Sequence, residues 1–263
     1  MQDAAAVIVA MAEEALAASD GPVVIGLCGA QGSGKSTAAA LAAGRLQAQG
    51  IVTGLLSLDD LYLGKADRVR LAAAVHPLLR TRGVPGTHDV ALGLDLFDRI
   101  DRGETPLLPR FYKATDDCAP AATWPAVSAG MRVLLFEGWC VGATPQAAAA
   151  LDEPVNTLEA IEDRDGRWRR YVNDQLAGLY QALFARIDRL LLLRAPDFDV
   201  VRGWRKEQER ALRATHGAGM DDAAIDRFVQ HYERLTRHVM AEMPGRASRT
   251  VYLDPCRRII GLN

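Results

Sequence analysis

The stretch PVVIGLCGAQGSGKST, residues 22–37, decides the fold. Its first half, Val23 to Gly29, is an unbroken apolar run that predicts a strand buried on both faces. Its second half concentrates Gly29, Gly32 and Gly34 where neither helix nor strand gains from glycine. Gly29 to Ser36 fits the spacing G-x-x-x-x-G-K-[ST]. A tight loop of this kind, between a strand and a helix, turns its backbone N–H groups onto a bound anion. The helix that follows adds the positive end of its dipole. The expected ligand is therefore a nucleoside triphosphate. Gly29, Gln31, Gly32, Ser33 and Gly34 cradle the phosphates. Lys35 bridges the β- and γ-phosphates, Ser36 ligates Mg²⁺, and Thr37 lies near the α-phosphate.

The rest of the chain extends this strand–loop–helix unit. Nearly continuous apolar runs at 52–58, 132–137, 189–194 and 249–253 read as four more strands. Helical patterns occupy 36–49, 90–102, 166–187, 200–215 and 221–242. This alternation predicts an α/β fold, a doubly wound parallel five-stranded sheet in one domain over residues 1–263. Residues 1–20 read as an N-terminal amphipathic helix. Two irregular segments, 60–88 and 104–130, read as long functional loops, so the region of about 60–130 is the expected acceptor-binding part. The alanine run at 146–150 reads as a helix.

Composition narrows the function classes. The 263 residues carry 31 basic and 33 acidic side chains, a net charge of −2. That balance gives no footing for nucleic acid or an anionic membrane surface. No apolar stretch approaches the roughly 20 residues of a bilayer-spanning helix. Cys28, Cys118, Cys140 and Cys256 are scattered without metal-ligand spacing and read as reduced thiols, which predicts a cytoplasmic protein. A monomer or homodimer acting on a small molecule is expected.

Two acidic positions suggest chemistry. The second strand runs into SLDDLYL, which puts Asp59 and Asp60 at its carboxyl end, the edge where such sheets bind ligands. A carboxylate there accepts the proton of an attacking hydroxyl, or Asp60 caps a helix. The third strand ends in LLFEGW, and Glu137 is placed to hold a Mg²⁺-bound water. There is no N-K-x-D motif of the kind that reads guanine.

The chain resembles the phosphoribulokinase/uridine kinase group of P-loop kinases, most closely D-glycerate 3-kinases and their uncharacterised kinase relatives. The resemblance rests on residues 29–37, SLDDLYL (57–63), HPLLRTRGVPGTHD (76–89), LPRFYKATDD (108–117), LLFEGWCVG (134–142) and WRKEQE (204–209), and so covers nearly the whole chain. It implies ATP and Mg²⁺ as cofactors, Asp59 as general base and Glu137 as the Walker-B-like carboxylate. It also implies a lid over about 196–220, from which Arg202 and Arg205 reach the phosphates. Two positions depart from it: Tyr112 stands where the group has Asp, and Leu61 where it often has Phe.

Glycerate is a small polyol bearing a carboxylate, and a site for it needs a cation. Arg80, Arg82, Arg110 and Lys113 lie in the two loops assigned to the acceptor. His76 and His88 are candidates to bond its hydroxyls. Asp89 either does the same or caps the helix that begins there. Tyr62 and Trp139 are candidate apolar walls. The base of the nucleotide is expected against the tail 253–259. The expected activity is phosphoryl transfer from ATP to D-glycerate. Open beside it are another small acceptor (a nucleoside, a pantothenate-like compound or a sugar phosphate) and an ATP-sensing module that transfers nothing.

Overall fold

The computed structural model describes residues 3–216 and 220–263. In chain order its elements are α1 (Ala4–Ala17), β1 (Val23–Gly29), α2 (Lys35–Ala48), β2 (Thr53–Ser57), α3 (Lys65–Ala74), α4 (Val90–Asp101), β3 (Phe111–Tyr112), β4 (Asp117–Cys118), β5 (Val133–Gly138), α5 (Thr157–Glu162), α6 (Arg167–Ala177), α7 (Leu179–Phe184), β6 (Arg189–Arg194), α8 (Phe198–His216), α9 (Asp222–Glu242), β7 (Arg249–Leu253) and β8 (Ile259–Leu262).

The main sheet runs β2-β5-β1-β6-β7-β8. The first five strands are parallel, as expected, but β8 adds a sixth, antiparallel edge. The tail is thus a hairpin turn followed by a strand. Although β1 and β5 read as continuous apolar runs, their side chains divide by parity. Val23, Ile25, Leu27, Val133 and Leu135 pack with α1, α2 and α8. Val24, Cys28, Leu134 and Phe136 pack with α4, α7 and α9. Both faces are covered, which is why no polar residue interrupts β1 and none precedes Glu137 in β5.

Several local expectations change. The segment 60–88 contains the regular helix α3, whose residues KADRVRLAAA are mostly strong helix formers. Residues 166–187 form two helices that break at Gly178. The alanine run gives only a 3₁₀ turn, Ala148–Leu151. In 104–130, β3 and β4 make a two-residue antiparallel hairpin.

Two buried ion pairs tie the outer helices together. Arg234 on α9 reaches Glu159 on α5 at 2.6 Å, and Arg169 on α6 reaches Asp163 at 3.0 Å. Both carboxylates are fully buried. Among the described residues, no helix is long and apolar enough to cross a membrane.

Candidate active site

Parallel pairing brings the expected residues to one edge. In the register of β5, Glu137 lies opposite Leu27 of β1 and Ser57 of β2. The glycine loop follows β1, and Asp59 follows β2 by two residues. Gly32 and Gly34 have φ of 78° and 88°, a region open to glycine but strained for other residues. Gly34 caps α2 without a side-chain bond, and the first turn of α2 holds no acidic residue. The amino end of that helix is thus left to an anion.

Ser36 Oγ donates to Glu137 Oε1 at 3.0 Å, and Lys35 Nζ stands 4.0 Å from Oε2. Oε2 is buried and has no hydrogen-bond partner. A buried carboxylate oxygen without a partner, beside a serine hydroxyl, suits a hydrated divalent cation. These residues fit Mg²⁺. Among the described residues no group of three or more His, Cys, Asp or Glu could hold a metal, so most of the ion's ligands would be phosphate and water.

Asp59 is held on both oxygens. The Tyr62 hydroxyl donates to Oδ1 at 2.5 Å and Lys113 Nζ to Oδ2 at 2.6 Å. Burial raises the Asp59 pKa, but the cations Lys113 and Lys35 and the bonds from Lys113 and Tyr62 outweigh it and bring it to about 2. Asp60 does not face the same group. Its Oδ1 accepts from the Phe111 N–H at 3.2 Å and its Oδ2 from Arg110 at 3.4 Å, which fastens β3.

The acceptor loops divide. Tyr62 is buried, with its ring 4.8 Å from that of His88 and 5.2 Å from Phe111. Arg82 pairs with Asp116 and lies over the Phe111 ring. Arg110, Arg82, Lys113, Tyr62 and His88 therefore gather around Asp59 and the β3–β4 hairpin. The other candidates are used otherwise. His76 Nδ1 accepts from the Leu78 N–H, and its other nitrogen is 4.0 Å from Asp163. Asp89 takes the capping alternative and accepts from the Leu92 N–H at 2.9 Å. Arg80 contributes its carbonyl to Arg68. Trp139 is buried and donates to the Gly83 carbonyl at 2.8 Å, so it supports the loop from behind. Tyr112 is exposed with its hydroxyl 3.4 Å from Thr123, and Leu61 is buried against Gly93.

The segment expected to be a lid is α8, except that residues 217–219 lie outside the described residues. Phe198, Val201 and Trp204 are core residues, so its first turns are anchored. Arg205 pairs with Glu209 at 2.7 Å and lies over Phe228, while its Nε has no partner. Arg202 is half-exposed and 3.6 Å from Asp199.

Three residues that sequence reasoning missed bind the site together. Tyr232 on α9 donates to the Arg82 carbonyl at 2.7 Å and packs edge-on against Trp139. A Cβ at Gly83 would meet its hydroxyl at 2.5 Å. Trp204 presses on the glycine loop so closely that a Cβ at Gly32 would lie 2.5 Å from its own. Arg257, in the β7–β8 turn at φ 63°, donates to the Gly32 carbonyl at 2.6 Å, lies over the Trp204 ring and pairs with Glu207 on α8.

No family model matches the chain. The uncharacterized kinase mug58 of Schizosaccharomyces pombe is 33% identical over 255 residues, 91% of this chain and 87% of that protein. The chloroplastic D-glycerate 3-kinase of Arabidopsis thaliana is 30% identical over 222 residues, 80% of this chain and 46% of that protein. The chain belongs to this family of P-loop kinases. The solved D-glycerate 3-kinase of Cryptococcus neoformans var. grubii has the same fold, with a TM-score of 0.86 and 24% identity over 100% of this chain and 99% of that one. In this kinase the glycine loop is the candidate ATP site.

Two measurements check this geometry. His88 is buried, and burial lowers its pKa to about 4 even though the Asp59 charge raises it. An unfolded histidine titrates near 6.5, so between about 6.5 and 4 the unfolded chain binds a proton that the native kinase refuses. Its contribution to stability is complete above that window and is lost as pH falls through it. Urea midpoints should drop between pH 7 and 4.5, and His88→Gln should reduce the slope; an unchanged slope refutes the assignment. Second, Arg257→Ala should weaken ATP binding roughly five- to tenfold, about one hydrogen bond's worth, measured with a fluorescent ATP analogue. Wild-type affinity in that variant would show that Arg257 does not position the loop.

Proposed function

We propose that this kinase transfers the γ-phosphoryl group of ATP to a hydroxyl of a small hydroxy acid, with D-glycerate as the first candidate. The observation that carries this reading is Asp59. It stands at the strand edge beside the phosphate loop, within the field of Lys35 and among Lys113, Arg82 and Arg110. An acceptor with both a hydroxyl and an anionic group matches that mixture. The names of the relatives above support the same choice. The four cysteines, all unpaired, accord with work in the cytoplasm.

In this reading the loop from Gly29 to Gly34 and the amino end of α2 hold the phosphates. Lys35 sits against the β- and γ-phosphates and Thr37 near the α-phosphate. Ser36 and Glu137 would hold Mg²⁺, which when bound neutralises charge on the phosphate oxygens. Asp59 orients the acceptor hydroxyl and takes its proton late. With a pKa of about 2 it is a weak base, which a loose phosphoryl-transfer transition state tolerates, because positioning and charge neutralisation do most of the work. Arg205, with its unpartnered Nε, supplies positive charge from α8. Tyr62 and His88 wall the acceptor side. A sensing module has no use for a carboxylate so placed, which disfavours that alternative.

Asp59→Asn should lower turnover about 10²- to 10⁴-fold while ATP affinity stays within a factor of about three. The assay is ADP release with ATP and Mg²⁺ across D-glycerate, L-glycerate, uridine, pantothenate and ribulose 5-phosphate. Turnover of uridine alone would sink the hydroxy-acid reading, and undiminished activity in the variant would sink the role of Asp59.

A further inference from the structure

Three cations near the acceptor loops are each matched to a carboxylate. Arg110 is matched to Asp60, Arg82 to Asp116 and Lys113 to Asp59. The two arginine pairs hold the β3–β4 hairpin. Asp116 also binds the buried Arg68 at 2.8 Å, and Asp60 takes the Phe111 N–H besides Arg110. Lys113 differs, because its partner is the carboxylate that the reading above gives to the acceptor hydroxyl.

Each oxygen of Asp59 already has one donor, so an incoming hydroxyl shares a carboxylate whose charge Tyr62 and Lys113 already engage, and it gains most when a donor leaves. Tyr62 is fixed, since its ring is buried between His88 and Phe111. Lys113 is not fixed: its side chain is 62% exposed, on the turn of a hairpin with two-residue strands. Ion pairs with so exposed a partner are worth only about 0–1 kcal/mol, and another anion exchanges for the carboxylate readily.

We propose that Lys113 is a latch on Asp59 which an anionic acceptor opens. The acceptor's negative group draws the ammonium off Oδ2, and its own hydroxyl takes the freed oxygen. This rests on the reading of Asp59 given above and deepens it. Lys113 becomes the residue that selects hydroxy acids over neutral polyols. Departure of the ammonium also removes a charge that depresses Asp59, so the carboxylate becomes a better proton acceptor when the substrate is in place.

The latch has a second use. In transfer, the acceptor oxygen bonds to the γ-phosphorus and the bond from that phosphorus to the bridging oxygen breaks. Its electron pair leaves on ADP, and the hydroxyl proton passes to Asp59. Water makes the same exchange and yields ADP and phosphate. Water carries no charge to draw Lys113 away, so Asp59 stays paired and is a poorer acceptor for water's proton.

Lys113→Met, which keeps the stem and removes the charge, tests this. The readout is ADP release from ATP and Mg²⁺ with no acceptor, with D-glycerate and with glycerol, the neutral analogue. Two changes are expected, each about two- to fivefold, the range an exposed ion pair can supply. Acceptor-free hydrolysis rises, and the ratio of kcat/KM for glycerate over glycerol falls. Lys113→Arg should keep both near wild type. Adding Asp59→Asn to Lys113→Met should return hydrolysis to background, which a merely loosened protein would not do. Wild-type hydrolysis in Lys113→Met overturns the latch. The acceptor-free arm needs no acceptor, so the two readings fail separately. If D-glycerate is not turned over by wild type but hydrolysis rises in the variant, the acceptor is wrong and the latch stands.

Discussion

Glu137 stands beside the phosphate loop because β5 lies between β1 and β2 in the sheet. That placement is the constraint on which the site depends. Parallel strands must be joined by crossovers, so their carboxyl ends all fall on one edge. Ser36 and Glu137 are 101 residues apart in the chain, yet one hydrogen bond of 3.0 Å joins them. The same register aligns Ser57 with Glu137, and two residues later the chain delivers Asp59. Any slip of β5 would turn Glu137 to the other face of the sheet and leave Ser36 without its partner.

The charges of this protein do two kinds of work, separated by burial. Glu159–Arg234 and Asp163–Arg169 are buried, and every nitrogen of the two guanidinium groups and every oxygen of the two carboxylates is bonded. Arg234 also bonds the carbonyls of Ala150 and Glu153, and Arg169 those of Leu151 and Asp152. Removing one partner from such a pair strands a charge in a poorly solvated interior, so these pairs behave as fixed parts of the fold. Around Asp59 the pairs are partly wet. Lys113 is mostly exposed and Arg110 and Arg82 are about one-third so. The same chemical types that lock the outer helices can therefore exchange partners around Asp59.

Much of the site was legible because its signals are local. The glycine loop, Lys35 and Ser36 lie within eight residues whose spacing is dictated by a phosphate. Asp59 and Glu137 announce themselves as polar residues ending apolar strands. His76 and Asp89 were harder, because a cap and a ligand contact ask the same of a side chain, an acceptor aimed away from its own backbone. Only the position of the next N–H group decides, and that is set by the turn. Tyr232 gave no readable signal, and Trp204 and Arg257 lie in segments the sequence singled out, 204–209 and 253–259, without their roles being readable there. Tyr232 sits in a helix of ordinary amphipathic pattern, and its hydrogen-bond partner Arg82 is 150 residues away. The strand β8 had a faint signal in Ile259 and Ile260, but a run so short ranks below the loop reading until β7 offers an edge.

Trp204 and Arg257 also limit how α8 can move. The Trp204 side chain touches Gly32 on one side, and its Nε1 donates to the Pro255 carbonyl at 2.7 Å on another. Arg257 stacks on its ring and holds the Gly32 carbonyl. A rigid swing of the whole helix would break these contacts and expose Phe198 and Val201, apolar side chains each worth roughly 1.5–3 kcal/mol when buried. Movement that begins beyond Trp204 breaks none of them. Arg205 is the first residue past that anchor, so a lid built on α8 would carry Arg205 while the turn holding Arg202 stays with the core. That division favours Arg205 over Arg202 as the cation that follows the transferring phosphoryl group. It also makes the phosphate loop and the lid share one support, because the residue that stops the helix from swinging is the one packed against Gly32.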